Sequence, residues 1–155
     1  MKTNLPSCEL TRPYEVTLHY KRPLFNSMER IACAEDINLF LRAEINPKLM
    51  DVKEFFWVVF LSRANSILGI STIGFGTIDG VLVNIREILQ LTLLFHASQL
   101  VVAHNHPSGK LTPSKKDKEL TKKLKDALAL FDVQLLDHLI LTSEDFYSFS
   151  NDGEM

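Results

Sequence analysis

Cysteine is scarce in this chain. There are two in 155 residues, Cys8 and Cys33, and they form no C-x-x-C pair. That excludes a disulfide framework and a thiolate zinc cage, and it suits a reducing cytoplasm. Excess charge is also missing: the formal net charge is -2, so the chain as a whole is not built to hold a polyanion. No apolar run approaches the roughly 20 residues that cross a bilayer, so no membrane partner is expected. The opening stretch MKTNLPSCELTRPYEV lacks the apolar centre of a signal peptide, and a cytoplasmic location is expected. Internal repeats and low-complexity blocks are absent too. What remains is an ordinary globular composition, 46% hydrophobic and 23% charged, in a length that one domain accounts for.

The first third carries the weakest patterns. YEVTLHY (Tyr14–Tyr20) alternates as a strand does, and Ile37, Phe40 and Leu41 predict a helix starting near Ala34–Asp36. NPKLMDVKE (Asn46–Glu54) reads as a loop. EFFWVVFL (Glu54–Leu61) is apolar on both alternating faces, as in a strand buried mid-sheet. SRAN then turns the chain into SILGISTIGFG, the second strand of a hairpin. Ile85, Ile88, Leu89 and Thr92 recur at helical spacing. QLVVAHN (Gln99–Asn105) is a short strand, and Lys115–Phe131 is a helix with Leu120, Leu124, Ala127, Leu128 and Phe131 on one face. VQLLDHLILT is a last long strand, and the polar end SEDFYSFSNDGEM has room for a short one. This alternation predicts an α/β protein, a mixed sheet with flanking helices.

The stretch VVAHNHPSGKLTPSKKD (Val101–Asp117) holds the chemistry. In extended backbone, residues two apart point to the same side, so His104 and His106 present both imidazoles to one point. Pro107, Ser108 and Gly109 turn the chain away, and Asp117 in the first turn of the next helix can face back. Two imidazoles and a carboxylate are a suitable three-ligand set for one zinc ion per chain, with a fourth position open for water. His₂Asp does not exclude iron, nickel or manganese. Glu54, a carboxylate at the start of a buried strand, is the candidate general base. Ser114 is the candidate donor to a developing oxyanion.

His104-x-His106, seven residues, Ser114, two residues and Asp117, with Glu54 upstream, resembles the JAMM motif of the JAB/MPN metalloprotease fold. The fuller string AHNHPSG…TPS…D, followed by LLDHLIL, resembles the bacterial RadC family within that fold, over roughly Glu54 to Phe149. The resemblance implies a cytidine-deaminase-like layered α/β/α architecture. It also implies His104, His106 and Asp117 as metal ligands, Glu54 as general base and Ser114 as oxyanion donor. A zinc-dependent hydrolase of peptide or isopeptide bonds would follow, acting on a protein or peptide. The family's name comes from an association with DNA repair, which makes a nuclease or accessory DNA-binding protein the alternative. The sequence departs from the family pattern in having no room for the usual N-terminal helix-hairpin-helix region. It also carries Ser62 where Asp is common and Ile85 where Pro is common. The expected organisation is a strand-and-helix extension over 1–50, a RadC-like JAB/MPN region over 51–150 and a polar tail over 151–155.

Plainer readings stand beside these. Ser114-Lys-Lys-Asp117 also fits a capping box, or Thr112 caps with Pro113 at the first helical position. Glu54 also fits a charge at the rim of the sheet. His138 reads as a hydrogen-bonded structural residue, neighbouring Asp137 as a candidate support for the metal ligands, and Cys33 as core or near it. His19 and His96 have no visible partners. Lys115, Lys116, Lys118, Lys122, Lys123 and Lys125 form a basic helix face, either simply solvated or able to meet nucleic-acid phosphates. The literal HNH at His104–His106 is not the nuclease motif of that name, and the H-x-E…P-C-x-x-C signature of zinc deaminases is absent.

Overall fold

Phe55–Leu61 (β1) is apolar at every position and buried at all but the first. Such a strand needs cover on both faces, and it has it. It lies second in a five-stranded sheet of order β2-β1-β3-β4-β5, built with Ile67–Phe75 (β2), Gln99–Asn105 (β3), Gln134–Leu141 (β4) and Phe146–Ser148 (β5). The computed structural model of the chain describes residues 20, 21, 23, 24, 28–76 and 82–155. The strand expected at Tyr14–Tyr20 lies, apart from Tyr20, outside these residues, as do Cys8 and His19.

β1 pairs antiparallel with β2 and β3, β3 parallel with β4, and β4 antiparallel with β5. The parallel step requires a crossover, and Lys115–Ala129 (α3) supplies it. α3 and Ile85–Leu94 (α2) cover one face: Leu124, Leu128 and Ile88 pack with Phe56, Val58, Leu100 and Val102. Ala34–Glu44 (α1) covers the other, where Ile37 and Leu41 pack with Trp57, Val59, Val101 and Leu139. The result is the layered α/β/α arrangement of a mixed sheet with flanking helices. Among the described residues, no helix is long and apolar enough to cross a membrane.

Two local readings change, and one choice left open is decided. The segment expected as plain loop contains a 3-10 turn, Pro47–Leu49, capped by the Asn46 side chain accepting from the Lys48 N–H. Cys33 is exposed, because it is the N-cap of α1 and the helix buries Ala34, Ile37 and Leu41 instead. Ser114, not Thr112, caps α3: its Oγ accepts from the Asp117 N–H at 3.2 Å, and the Asp117 carboxylate accepts from the Ser114 N–H at 2.6 Å.

One irregularity sets which residues face α3. The β3–β4 ladder pairs Leu100 with Leu135 but Val101 with Asp137, so Leu136 is an extra residue on β4. Beyond this bulge the facing of β4 shifts by one. His138 lies opposite Val102 on the α3 side, and Asp137 lies opposite Val101 on the α1 side.

Candidate metal centre

β3 ends in His104 and Asn105, and His106 follows directly. Strand alternation sends both histidines to the α3 face and Asn105 to the other. The turn that follows needs Gly109 at φ +74, a left-handed conformation that favours glycine. It brings the Lys110 carbonyl back to His106 Nδ1 at 2.6 Å. A carbonyl only accepts, so Nδ1 carries the proton and Nε2 keeps its lone pair. α3 then starts at Lys115 and turns Asp117 toward the strand end.

Ligand atoms of His104, His106 and Asp117 all lie within 4.8 Å of one another. The two Nε2 atoms are 3.0 Å apart, Asp117 Oδ1 is 3.4 Å from His104 Nε2, and Oδ2 is 3.8 Å from His106 Nε2. This group could hold a metal ion. The capping box does not compete with that role. It uses the carboxylate to accept the Ser114 N–H, which fixes Asp117 in the orientation that faces the histidines. The capping box is therefore compatible with a ligand role for Asp117.

Behind His104 lies an arrangement of which sequence reasoning reached only His138, as a hydrogen-bonded structural residue. His104 Nδ1 is 2.8 Å from His138 Nε2, His138 Nδ1 is 2.6 Å from Thr121 Oγ1, and Thr121 Oγ1 donates to the Asp117 carbonyl at 2.7 Å. His138 is fully buried, stacked on Phe149 at 4.7 Å and edge-on to Phe56 at 5.8 Å. Burial holds the His138 ring well below the usual imidazole pKa and pushes His104 down to about 4, so both are neutral near pH 7. Asp137 does not support the ligands. Its carboxylate accepts from Ser148 Oγ at 2.6 Å and from the His138 and Ser150 N–H groups at 2.7 and 2.9 Å, tying β4 to β5 on the far face. Burial raises its pKa.

Glu54 precedes β1 and is half-buried. The ladder with β3 ends at the Phe56–His104 pair, so Glu54, two residues before Phe56, lies at the end of the sheet where the histidines sit. Asn105 fixes this segment. Its Oδ1 accepts from the Phe55 N–H at 2.7 Å, and its Nδ2 donates to the Met50 and Lys53 carbonyls at 2.7 and 2.8 Å. One signal for Asn105 was available: a polar residue between two same-side histidines must face the opposite, buried side. The six lysines of α3 are all exposed; Lys118 pairs with Glu154 at 2.7 Å and Lys115 with Glu119 at 3.8 Å.

A RadC-like JAB domain model matches residues 31–154. A UPF0758 protein of Flavobacterium johnsoniae is 44% identical over 100 residues, covering 64% of this chain and 44% of that protein. One of Coxiella burnetii is 34% identical over 146 residues, 94% of this chain and 64% of that protein. One of Acidithiobacillus ferrooxidans is 40% identical over 119 residues, 76% of this chain and 53% of that protein. The chain thus spans about half to two thirds of the length of these relatives.

Proposed function

Because the chain belongs to the RadC-like JAB domain family, we propose that it is a zinc-dependent hydrolase of peptide or isopeptide bonds. The observation that supports this most is the convergence of two imidazole nitrogens and one carboxylate. Ligands about 2.0–2.1 Å from a tetrahedral zinc lie about 3.3 Å from one another. The His104–His106 and His104–Asp117 separations of 3.0 and 3.4 Å suit that geometry. Bound there, zinc supplies a Lewis acid that makes hydroxide available near neutral pH. Iron, nickel or manganese would suit the same donors.

The chain's own residues divide the remaining work. Glu54 takes the proton of the attacking water and returns it to the leaving amine. Ser114 Oγ, whose lone pair is engaged by the Asp117 N–H, has its hydroxyl proton left to donate to the oxyanion. Elemental analysis of untagged protein purified without added metal tests the site, and a peptide library tests the reaction. About one zinc per chain, lost in His104→Ala/His106→Ala, together with peptide cleavage lost in Glu54→Gln, is the expected result. Cleavage undiminished by Glu54→Gln refutes the proton-transfer role.

Nucleic acid is a second reading, favoured by the exposed lysines of α3. It predicts salt-sensitive binding to duplex DNA that Lys122→Glu/Lys123→Glu abolishes. No binding at low salt counts against it. The scarcity of cysteine favours action in the cytoplasm.

A further inference from the structure

A histidine can offer its Nε2 lone pair to a metal only if its single proton sits on Nδ1. For His106 the Lys110 carbonyl enforces this directly. His104 has no carbonyl at Nδ1; it has another histidine, His138, whose ring nitrogens could carry the proton either way. The order is decided one bond further on. Thr121 Oγ1 lies 2.7 Å from the Asp117 carbonyl, which can only accept, so the one hydroxyl proton of Thr121 lies between those oxygens. Thr121 must then accept from His138, which puts a proton on His138 Nδ1. In a neutral His138 the other nitrogen, Nε2, is left as an acceptor. His104 Nδ1–H donates to it, and the His104 Nε2 lone pair faces His106 and Asp117.

We propose that His138 and Thr121 are positioning residues that hold His104 in its metal-ligating tautomer, through a chain of hydrogen bonds running back to the Asp117 backbone carbonyl. The inference rests on the metal-site reading above. Neither residue touches the ligand position itself. Asp117 acts at both ends: its carboxylate is a ligand, and its carbonyl sets the proton order of another. With both Nδ1 atoms committed as donors, the two Nε2 atoms cannot hydrogen-bond each other across their 3.0 Å gap without an added proton or cation.

If Thr121 loses its oxygen, nothing holds the proton on His138 Nδ1. His138 is then free to donate from Nε2, which drives the His104 proton onto Nε2 and blocks ligation. Thr121→Val has nearly the same shape, and Thr121→Ser keeps the hydroxyl. The first measurement is imidazole ¹⁵N NMR on the metal-free full chain near neutral pH. The expected spectrum shows His104 and His138 both protonated on Nδ1. The second is zinc titration of the parent and the two variants. Thr121→Val should bind zinc about 10–100-fold more weakly, with Thr121→Ser near the parent, the usual range for losing a partner of a ligating histidine. Parental zinc affinity in Thr121→Val, or a His104 proton on Nε2 in the parent, overturns the proposal. If the parent chain binds no zinc, the metal reading falls and takes this one with it.

Discussion

Replacing Asn105 with alanine removes three hydrogen bonds from the segment that carries Glu54 into β1. It takes the Asn105 side chain away from the Met50 carbonyl, the Lys53 carbonyl and the Phe55 N–H. The bond to Met50 is buried and the other two are reached in part by water. Taking about 1–2 kcal/mol for the buried group and about 0.5–1 kcal/mol for each of the others gives a loss of about 2–4 kcal/mol. That is a large share of the roughly 5–15 kcal/mol that holds a domain together. Urea unfolding should show a lower midpoint at unchanged slope, and the melting temperature should fall by about 4–16 °C. Asn105→Asp should fare no better: it keeps the acceptor for Phe55 but sets a charge against two carbonyls. Zinc affinity should change much less than turnover, because the ligands stay on β3 and α3 while the Glu54 segment loosens. An Asn105→Ala protein as stable as the parent would refute this account of how the segment is held.

Further outcomes follow from the same contacts. Zinc at about 100 times its dissociation constant should stabilise the parent by about 2.7 kcal/mol and leave His104→Ala/His106→Ala unmoved, read by thermal melts. In the metal-free protein, His104 refuses protons until about pH 4 while an unfolded histidine takes them near 6.5. Stability from that group is full above pH 6.5 and falls as pH drops toward 4, and buried His138 adds in the same direction. Urea midpoints across that window check the sign; a flat profile would contradict it. Gly109→Ala meets no steric clash, since no atom lies within 4 Å of the added carbon, but it strains a backbone at φ +74. It should cost about 1–2 kcal/mol and weaken zinc binding by loosening the Lys110 carbonyl from His106.

The elements with strong periodicity were legible in the sequence. β1, β3 and α3 announce themselves through apolar runs or a one-sided stripe, and the His104–His106 pairing follows from strand alternation alone. Asp117 was legible because Ser114 marks where α3 begins. His138 was legible as a hydrogen-bonded structural residue, but the sides that His138 and Asp137 face were not. Adjacent polar residues in a strand face opposite sides, and which one faces α3 depends on the Leu136 bulge, a pairing irregularity that leaves no mark in composition. Thr121 was hidden for another reason. It sits mid-helix among lysines, and its value lies in a carbonyl one turn back, which side-chain patterns do not display. Cys33 misled because cysteine usually sits inside, whereas a helix cap holds its residue at the surface.

The extra residue in β4 also sets the charge of the whole site. Pairing without Leu136 as a bulge would put Asp137, rather than His138, opposite Val102 and beside His104. With Asp117 as the one anionic ligand, a divalent ion held by His104, His106 and Asp117 would have a net charge of about +1 together with them. A second carboxylate packed behind His104 would bring that sum to about zero and draw the imidazole proton toward itself. The ion would then hold its ligands more tightly but polarise water less. A single extra residue in β4 thus decides whether a neutral ring or a carboxylate packs behind His104.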